Sequence, residues 1–394
     1  MTLSVTPTVA PTQDIDYDAT LPQYKIAIDV YVVGTLCALG IAGNVLSIIV
    51  LGRDSSIRRT TGFMLQMLAV ADAVYLVACI FYQTLNCIEK LTDWLPPAAH
   101  RHWPYVEVYT WPMASVAQTA TVWLVVVVTA DRYVAICWPL HAAQYSTVSR
   151  VRKAVAAVWI FAVVYNLPRF FERVVDVHEI SANSTLPPHA TSSPDLVPVT
   201  SPQMVDDRRV VVERTAMREH SVYVVVYKTG LFFVVRFLLP FTALAFFNQR
   251  LIRAMRASDE IRRHSARYTG SAGSGSGGGK ERQHTRTLVV VVVVFVICEL
   301  PDLTLRAWIA LHQYAPEHVA FPRDRLLYVN VASNLLLTVN SCINFVIYCF
   351  MGRRFRLILL RMIGCGDDKP DRSQQGAKPP TVHFRRTRTL LTAV

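Results

Sequence analysis

Residues 106–137 read VEVYTWPMASVAQTATVWLVVVVTADRYVAIC, and this stretch decides the class of the protein. An apolar run of this length exceeds the ~20 residues that an α-helix needs to cross the ~30 Å hydrocarbon core of a bilayer. Six further apolar runs lie at 27–51, 61–86, 153–168, 221–248, 285–312 and 326–350. Because helices are one of two structures that satisfy every backbone polar group in lipid, the runs predict an all-α membrane protein, a bundle of seven transmembrane helices.

The charge distribution predicts how the bundle is oriented. The chain has 394 residues, of which 52% are hydrophobic and 17% charged, and its formal net charge is +12. The basic residues concentrate after the first, third, fifth and seventh runs, which is the positive-inside pattern and not the pattern of a nucleic-acid-binding protein. We therefore expect an extracellular tail at 1–24, a membrane domain at 25–363 and a cytoplasmic tail at 364–394.

Three local features lie outside the spanning runs. Residues 353–363 alternate Arg with apolar residues at helical spacing, which predicts a short amphipathic helix on the inner membrane face. Cys365 follows it as a palmitoylation candidate, with a plain free thiol as the alternative. Asn183 begins an Asn-Ser-Thr glycosylation acceptor on the outer side, unless that match arose by chance. The Gly/Ser-rich stretch 271–279 predicts a flexible linker.

The tripeptide Asp131-Arg132-Tyr133 ends the third run. Alone, Arg132 could simply extend to the membrane interface as a snorkelling side chain. Other motifs accompany it in order along the chain: Gly43-Asn44, Leu68-Ala69-Val70-Ala71-Asp72, Trp159, Pro240, Phe295-Val296-Ile297-Cys298-Glu299-Leu300-Pro301 and Asn340-Ser341-Cys342-Ile343-Asn344-Phe345-Val346-Ile347-Tyr348. Together they resemble the rhodopsin-like (class A) G-protein-coupled receptors. Ala117-Gln118-Thr119 and the run after Arg132 are most similar to invertebrate FMRFamide-type neuropeptide receptors.

The resemblance implies a switch at the cytoplasmic face and a receptor in the plasma membrane. Arg132 would pair either with Asp131 or with Glu281, and release of Arg132 would let it meet a heterotrimeric G protein. Arrestin is the other implied cytoplasmic partner. The switch residues are then Asp131, Arg132, Tyr133, Glu281 and Tyr348. Glu281 could instead be an ordinary loop charge.

The resemblance also implies a sodium site near the middle of the membrane. Asp72 is an intramembrane acid, which by itself indicates a functional position. The implied oxygen ligands are Asp72, Thr121, Asn340, Ser341 and Asn344, a donor set that suits a hard cation. The alternative is a protonated Asp72 that only packs the helices together. Apart from this ion, no cofactor is expected.

Three positions depart from the family pattern. Phe345 stands where the family has a proline, so the kink in the seventh helix is lost. Asn248 stands where a tyrosine usually partners Tyr348. Glu107 replaces the cysteine that tethers the third helix to the second outer loop. Since that disulfide cannot form, the sequence leaves the conformation of residues 169–219 open.

The outer half of the bundle indicates the ligand class. Ala114 replaces the aspartate of monoamine receptors, and Thr338 replaces the retinal-binding lysine of opsins. Glu299, Asp302 and Arg306 are spaced three and four apart and share one helix face. With Arg236 and Gln118 they predict a polar cavity for a short peptide that has an arginine near an amidated end, and Gln118 could reach the amide. Alternatively, Arg236 and Glu299 pair only for structure.

Other function classes have less support. A channel or transporter would account for the intramembrane charges, but no internal repeat or pore-lining charge ring is apparent. A receptor-like scaffold or decoy that does not couple to G protein is favoured by Phe345 and Asn248 and opposed by the intact Asp131-Arg132-Tyr133. No nucleophile–base pair, metal cluster or phosphate loop indicates an enzyme.

Overall fold

The computed structural model describes residues 20–54, 59–92, 94–138, 140, 142, 146–179, 208–269, 276–314 and 323–364. Two predicted modification sites, Asn183 and Cys365, lie outside these residues. Glu281 lies on a described helix, but its side chain is outside the description.

Long helices, labelled α1 to α8 in chain order, make up most of the described chain. α1 runs continuously through Thr20–Lys25, Ile26–Val32 and Val33–Arg53, and α2 through Arg59–Cys79, Ile80–Leu85 and Asn86–Leu91. α3 is Pro97–Cys137, and α4 is Val148–Asn166 followed by a 3₁₀ turn at Leu167–Phe171. α5 runs through Tyr223–Leu231, Val234–Leu238 and Leu239–Thr269. α6 is Ser276–Tyr314, α7 is Arg323–Met351 and α8 is Arg353–Met362.

Six helices among the described residues are long and apolar enough to cross a membrane. They are Pro22–Arg53, Thr60–Leu91, Ala99–Cys137, Val148–Phe171, Tyr223–Ala257 and Leu326–Met351. The remaining long helix, α6, has 39 residues, but Glu299, Asp302 and Arg306 interrupt its apolar sequence. These spans confirm the prediction of a multi-pass helical membrane protein.

A β-hairpin occupies part of the outer loop between α4 and α5. Strands β1 (Arg173–Glu179) and β2 (Arg208–Arg214) pair antiparallel, with Arg173 opposite Arg214. Both strands are rich in valine, whose branched side chain favours extended backbone. A short helix, Ala216–Glu219, then leads into α5. The loop whose shape the sequence left open therefore has a defined fold in its described parts.

Two close helix contacts explain sequence features of α1 and α7. A Cβ added at Gly40 would lie 2.8 Å from Leu76 Cδ1, and one at Gly43 would lie 3.0 Å from the Phe345 ring. α7 is one uninterrupted helix, as expected for a chain with Phe345 in place of proline. Phe345 instead fills the space between α1 and α8, with its ring centroid 6.0 Å from that of Phe355.

One expectation about the inner loop is wrong in part. Residues 276–279, assigned from sequence to a flexible linker, form the first turn of α6. The glycines at 277–279 continue a helix that the apolar sequence further along α6 stabilises.

Candidate functional site

The buried centre of the outer half is an ion pair between α5 and α6. Arg236 Nη2 lies 3.5 Å from Glu299 Oε2, and the two side chains are only 4% and 2% exposed. The contact predicted from sequence is therefore present. At this separation the pair is longer than the 2.7–2.9 Å of a strong charge-assisted hydrogen bond, so neither charge is fully compensated by the other.

A second ion pair lies one turn further out on α6. Arg306 Nε donates to Asp302 Oδ2 at 2.8 Å, with Asp302 buried and Arg306 about one-third exposed. The guanidinium of Arg306 lies 4.9 Å from the ring centroid of Phe232, and that of Arg236 lies 5.7 Å from the same ring. Phe232 thus contacts both cations and joins the two ion pairs into one cluster.

Several buried polar atoms on the helices of the outer half have no hydrogen-bond partner among the described residues. Three of them are Gln118 Nε2, Arg236 Nε and Asp302 Oδ1. They come from α3, α5 and α6, the same helices that the sequence assigned to the ligand cavity. Since buried polar groups without partners are costly, these atoms are the ones that a polar ligand would stabilise.

The outer end of α3 is held to the hairpin by charge. Glu107 Oε1 accepts from Arg173 Nη1 of β1 at 2.8 Å, and Glu107 Oε2 accepts from Lys90 Nζ of α2 at 2.9 Å. Glu107 stands where the family has its tethering cysteine. An ion pair therefore links the same two elements that a disulfide would link, a role that the sequence did not reveal.

A further carboxylate near the outer surface was missed by sequence reasoning. Glu172, at the end of α4, is buried, and Tyr223 Oη donates to it at 2.8 Å. Lys228 Nζ lies 4.0 Å from its other oxygen. These contacts fix the entry of the hairpin against the outer end of α5. Its partner Tyr223 follows it by 51 residues, so no local spacing in the sequence indicated the contact.

The predicted sodium site brings its central residues together. Asp72 is fully buried, Thr121 Oγ1 donates to its Oδ1 at 3.1 Å, and Asn344 Nδ2 donates to its Oδ2 at 2.8 Å. Ser341 and Asn340 are also buried. Among the described residues, no group of three or more His, Cys, Asp or Glu side chains could hold a metal ion. A cation at Asp72 would thus depend on hydroxyl and amide oxygens, which the donor set supplies.

Another buried acid lies in α1 and was not singled out from the sequence. Asp29 is 2% exposed, and Gln83 Nε2 donates to its Oδ1 at 2.7 Å. Thr84 Oγ1 donates to the Asp29 backbone carbonyl at 2.8 Å. The available signal was an acid inside an apolar run, which by default indicates a functional or structural position.

At the cytoplasmic end, Arg132 is held by its neighbour. Arg132 Nη2 donates to Asp131 Oδ2 at 2.6 Å, and both side chains are less than one-tenth exposed. Ser146 Oγ donates to the other oxygen of Asp131. Of the two pairings open from sequence, the structure has the one with Asp131. The alternative pairing with Glu281 lies outside the described side chains.

The remaining switch residues occupy the same end of the bundle. The Tyr133 ring packs 5.4 Å from that of Phe247 on α5. Tyr348 is buried, its hydroxyl has no partner among the described residues, and its ring lies 5.8 Å from that of Phe355. Asn248 Oδ1 likewise has no partner in the described part of the chain. No bond joins Tyr348 to Asn248 here.

A comparison of the sequence with known protein families agrees with this helical membrane bundle and its Asp-Arg-Tyr inner end. Residues 31–366 match the family described as serpentine type 7TM GPCR chemoreceptor Srw. The chain belongs to this family of G-protein-coupled receptors. The match confirms the class A resemblance found from the motifs.

The receptor is similar to proteins named as receptors for FMRFamide and for thyrotropin-releasing hormone. The receptor is 28% identical over 327 residues to the FMRFamide receptor of Drosophila melanogaster, covering 82% of this chain and 51% of that one. It is 26% identical over 358 residues to the FMRFamide peptide receptor frpr-18 of Caenorhabditis elegans, covering 88% and 72%. It is 31% identical over 153 residues to the thyrotropin-releasing hormone receptor of Gallus gallus, covering 38% and 35%. The receptor thus spans about half the length of the Drosophila protein.

Proposed function

We propose that this receptor is a plasma-membrane protein with an extracellular N-terminus that binds a short neuropeptide and signals to a heterotrimeric G protein. The observation that carries the ligand class is the buried cluster of Arg236, Glu299, Asp302 and Arg306. Both acids are almost fully buried and each is paired with an arginine of the receptor. A ligand arginine could replace either receptor arginine with the same charge balance.

The names of two relatives support a peptide with an amidated carboxyl end. Both are FMRFamide receptors, and that peptide has an arginine next to its amidated phenylalanine. Gln118 supplies a matching group: its Nε2, which is buried without a partner among the described residues, can donate to the carbonyl oxygen of the amide end, and its side-chain oxygen can accept from the amide N–H. Carboxylates for the arginine and an amide for the amide end thus lie on α6 and α3.

Activation then follows from exchange of partners. A ligand arginine that pairs with Glu299 releases Arg236, which weakens the contact between α5 and α6. A ligand shifts the equilibrium between the inactive and active states only as far as it binds the active state more tightly than the inactive one. A contact with Glu299 can do this because Glu299 lies on α6, the helix that moves on activation. At the inner end, outward movement of α6 opens space in which Arg132 leaves Asp131 and meets the G protein. Arrestin would dock on the same open face.

A sodium ion is proposed as a modulator of this equilibrium. Asp72, Thr121, Asn340, Ser341 and Asn344 would hold it. A bound sodium ion supplies a positive charge for the buried Asp72 carboxylate. Thr121 and Asn344 both donate to Asp72, so they keep that carboxylate ordered where α2, α3 and α7 meet. A sodium ion that binds only when these side chains are arranged in this way would stabilise the corresponding packing of α2, α3 and α7.

The proposal also includes the inner membrane face and two modifications. α8 packs its buried residue Phe355 on α7, while Leu357 and Leu360 are about half exposed. Apolar residues on that free side support a helix that lies against lipid. Cys365 would then carry a palmitoyl group next to it, and Asn183 would carry a glycan on the outer side.

The decisive experiment measures nucleotide exchange on purified G protein by the purified full-length receptor. FMRFamide should stimulate exchange, while the free-acid peptide and the peptide with citrulline in place of arginine should be much weaker. The free acid tests the amide and citrulline removes only the charge. Binding of FMRFamide without any stimulated exchange would contradict signalling and indicate the decoy.

A further inference from the structure

A strongly basic cavity lies beneath the outer loop, next to the predicted peptide site, with which it shares Arg306. Its volume is about 480 Å³, and it lies between β2, the short helix Ala216–Glu219 and the outer ends of α5 and α6. Four cationic side chains line it, and Glu219 is the one carboxylate among its described lining residues. The cations are Arg214, Arg218, Lys228 and Arg306. A cavity of this volume is within the ~300–1,000 Å³ range of small-molecule sites.

An apolar cleft continues from this cavity between α5 and α6. Its volume is about 320 Å³, and it shares Lys228, Thr229 and Arg306 with the basic cavity. The rest of its described lining is apolar: Phe232, Phe233, Leu303, Ala307 and Leu311. The two spaces therefore form one site with a cationic mouth and an apolar extension.

The depth of the site places it at the outer membrane interface. Lys228 follows Tyr223, where the fifth span begins, by five residues, or about 8 Å of helix. Phe233 and Leu311 are 42% and 56% exposed on the same side. Phe233 lies deeper in the membrane than Lys228 on α5, and Leu303 lies deeper than Arg306 on α6, so these apolar side chains face the acyl-chain region while the cations lie nearer the headgroups.

Among the described residues that line the basic cavity, four cations face one carboxylate, Glu219. Glu172 lies 4.0 Å from Lys228 but also accepts from Tyr223, and Asp302 binds the Nε of Arg306. Arg214 faces another arginine, Arg173, across the hairpin. The pKa of Arg218 is lowered, first by burial and then by Arg173. Cations crowded in this way favour a bound anion.

Ordinary snorkelling does not account for the arrangement. Long basic side chains on spanning helices commonly extend to the interface, which explains an isolated lysine such as Lys228. Arg218 comes from the loop helix instead, and it converges on the same cavity from above. Cations from two directions around one space indicate a binding site for a charged group.

We propose that this site binds a single-chain anionic amphiphile from the outer leaflet. Its carboxylate or phosphate headgroup contacts Arg218, Lys228 and Arg306. Its alkyl chain lies in the cleft between Phe233 of α5 and Leu303 of α6. This site is distinct from the peptide cavity, but Arg306 is common to both. An anionic headgroup that binds Arg306 competes with Asp302 for that guanidinium. Binding of the amphiphile would therefore leave the Asp302 carboxylate less neutralised in the peptide cavity.

The test uses the full-length receptor in nanodiscs of uncharged phosphatidylcholine and a photoreactive diazirine analogue of palmitate. We expect crosslinks in the peptides that contain Lys228–Phe233 and Leu303–Leu311. Lys228→Gln and Arg218→Gln should each reduce labelling about fivefold, the effect expected for one basic residue near a membrane headgroup. Ala307→Trp should block the cleft and reduce labelling while both cations remain. Lys90→Gln removes a cation from the other side of the outer face and should leave labelling unchanged.

Two comparisons identify the source of the anion. The diazirine analogue of the uncharged long-chain alcohol should label the cleft weakly, and equal labelling would overturn the headgroup site. Inorganic phosphate should not displace the fatty acid, and displacement would assign the cavity to a free anion. Because labelling needs neither a peptide nor G protein, its failure would leave the proposed signalling function untouched, and failed signalling would leave labelling intact.

Discussion

Glu107 of α3 and Arg173 of β1 form a 2.8 Å ion pair at the position where the family links the same elements through a disulfide. Glu107 is only 13% exposed, and its second oxygen is held by Lys90. A covalent tether persists at any ionic strength, whereas an ion pair weakens as salt screens it. The outer loop of this receptor is therefore held over the bundle by a reversible contact.

The ion pair between Glu107 and Arg173 should protect the backbone amides of the hairpin from hydrogen exchange. Glu107→Gln removes the negative charge that pairs with both cations, and we expect the amide protection of residues 173–179 to fall by about 1 kcal/mol, as for a partly exposed pair. Hydrogen exchange followed by mass spectrometry measures this. The charge exchange of Glu107→Arg with Arg173→Glu should restore part of the protection. Lys90→Gln, which leaves the hairpin contact in place, is the matched control; an equal loss in that variant would contradict the assignment.

Arg132 should be required for coupling but not for ligand binding. It lies at the inner end of α3, 25 residues or about 37 Å of helix beyond Glu107, so the peptide cannot reach it. Arg132→Ala should abolish stimulated nucleotide exchange while peptide affinity changes little. Arg152→Ala, which removes an exposed cation that lies over Phe63, should keep exchange. Normal signalling by Arg132→Ala at matched surface expression would exclude the proposed role.

Asp72 should be the source of any sodium effect on agonist binding. Raising sodium at constant ionic strength should weaken peptide binding to the unmutated receptor, because sodium is expected to bind the inactive state better. Asp72→Asn should remove that dependence. Asp29→Asn is a suitable control, since it alters another buried acid with a hydrogen-bond donor at 2.7 Å. Peptide affinity that ignores sodium in the unmutated receptor would rule out the ion site.

Arg236 and Glu299 should behave as a coupled pair. Removing one partner of a buried ion pair leaves an uncompensated charge and commonly costs about 3–5 kcal/mol, more than removing both. We expect Arg236→Gln and Glu299→Gln each to lower surface expression or peptide potency. The double variant should lose less than the sum of the single losses, as a double-mutant cycle can measure.

The same cycle separates a structural pair from a ligand contact. If a ligand arginine takes over Glu299, Glu299→Gln should weaken the arginine peptide more than its citrulline analogue. If the pair is structural, both peptides should lose potency equally. Additive losses together with unchanged peptide selectivity would exclude both roles for Glu299.

The helices, the family and the polar outer cavity of this receptor could be predicted from its sequence. The apolar runs predicted the membrane helices, because each helix satisfies its own backbone and needs only local sequence to do so. The motifs around Asp72, Arg132 and Tyr348 predicted the family. The spacing of Glu299 and Asp302 on one helix face predicted a polar cavity, since helical periodicity fixes which side chains point together.

Contacts between distant segments could only come from the tertiary structure. Glu107 meets Arg173 across 66 residues, and Glu172 meets Tyr223 across 51, distances over which periodicity carries no information. The sequence allowed Arg132 either of two acids, and packing of Ser146 beside Asp131 favours one of them. The sequence thus determined which groups the membrane would bury, while the packing of helices and hairpin decided which opposite charges would meet, because pairing depends on distances that no single segment sets.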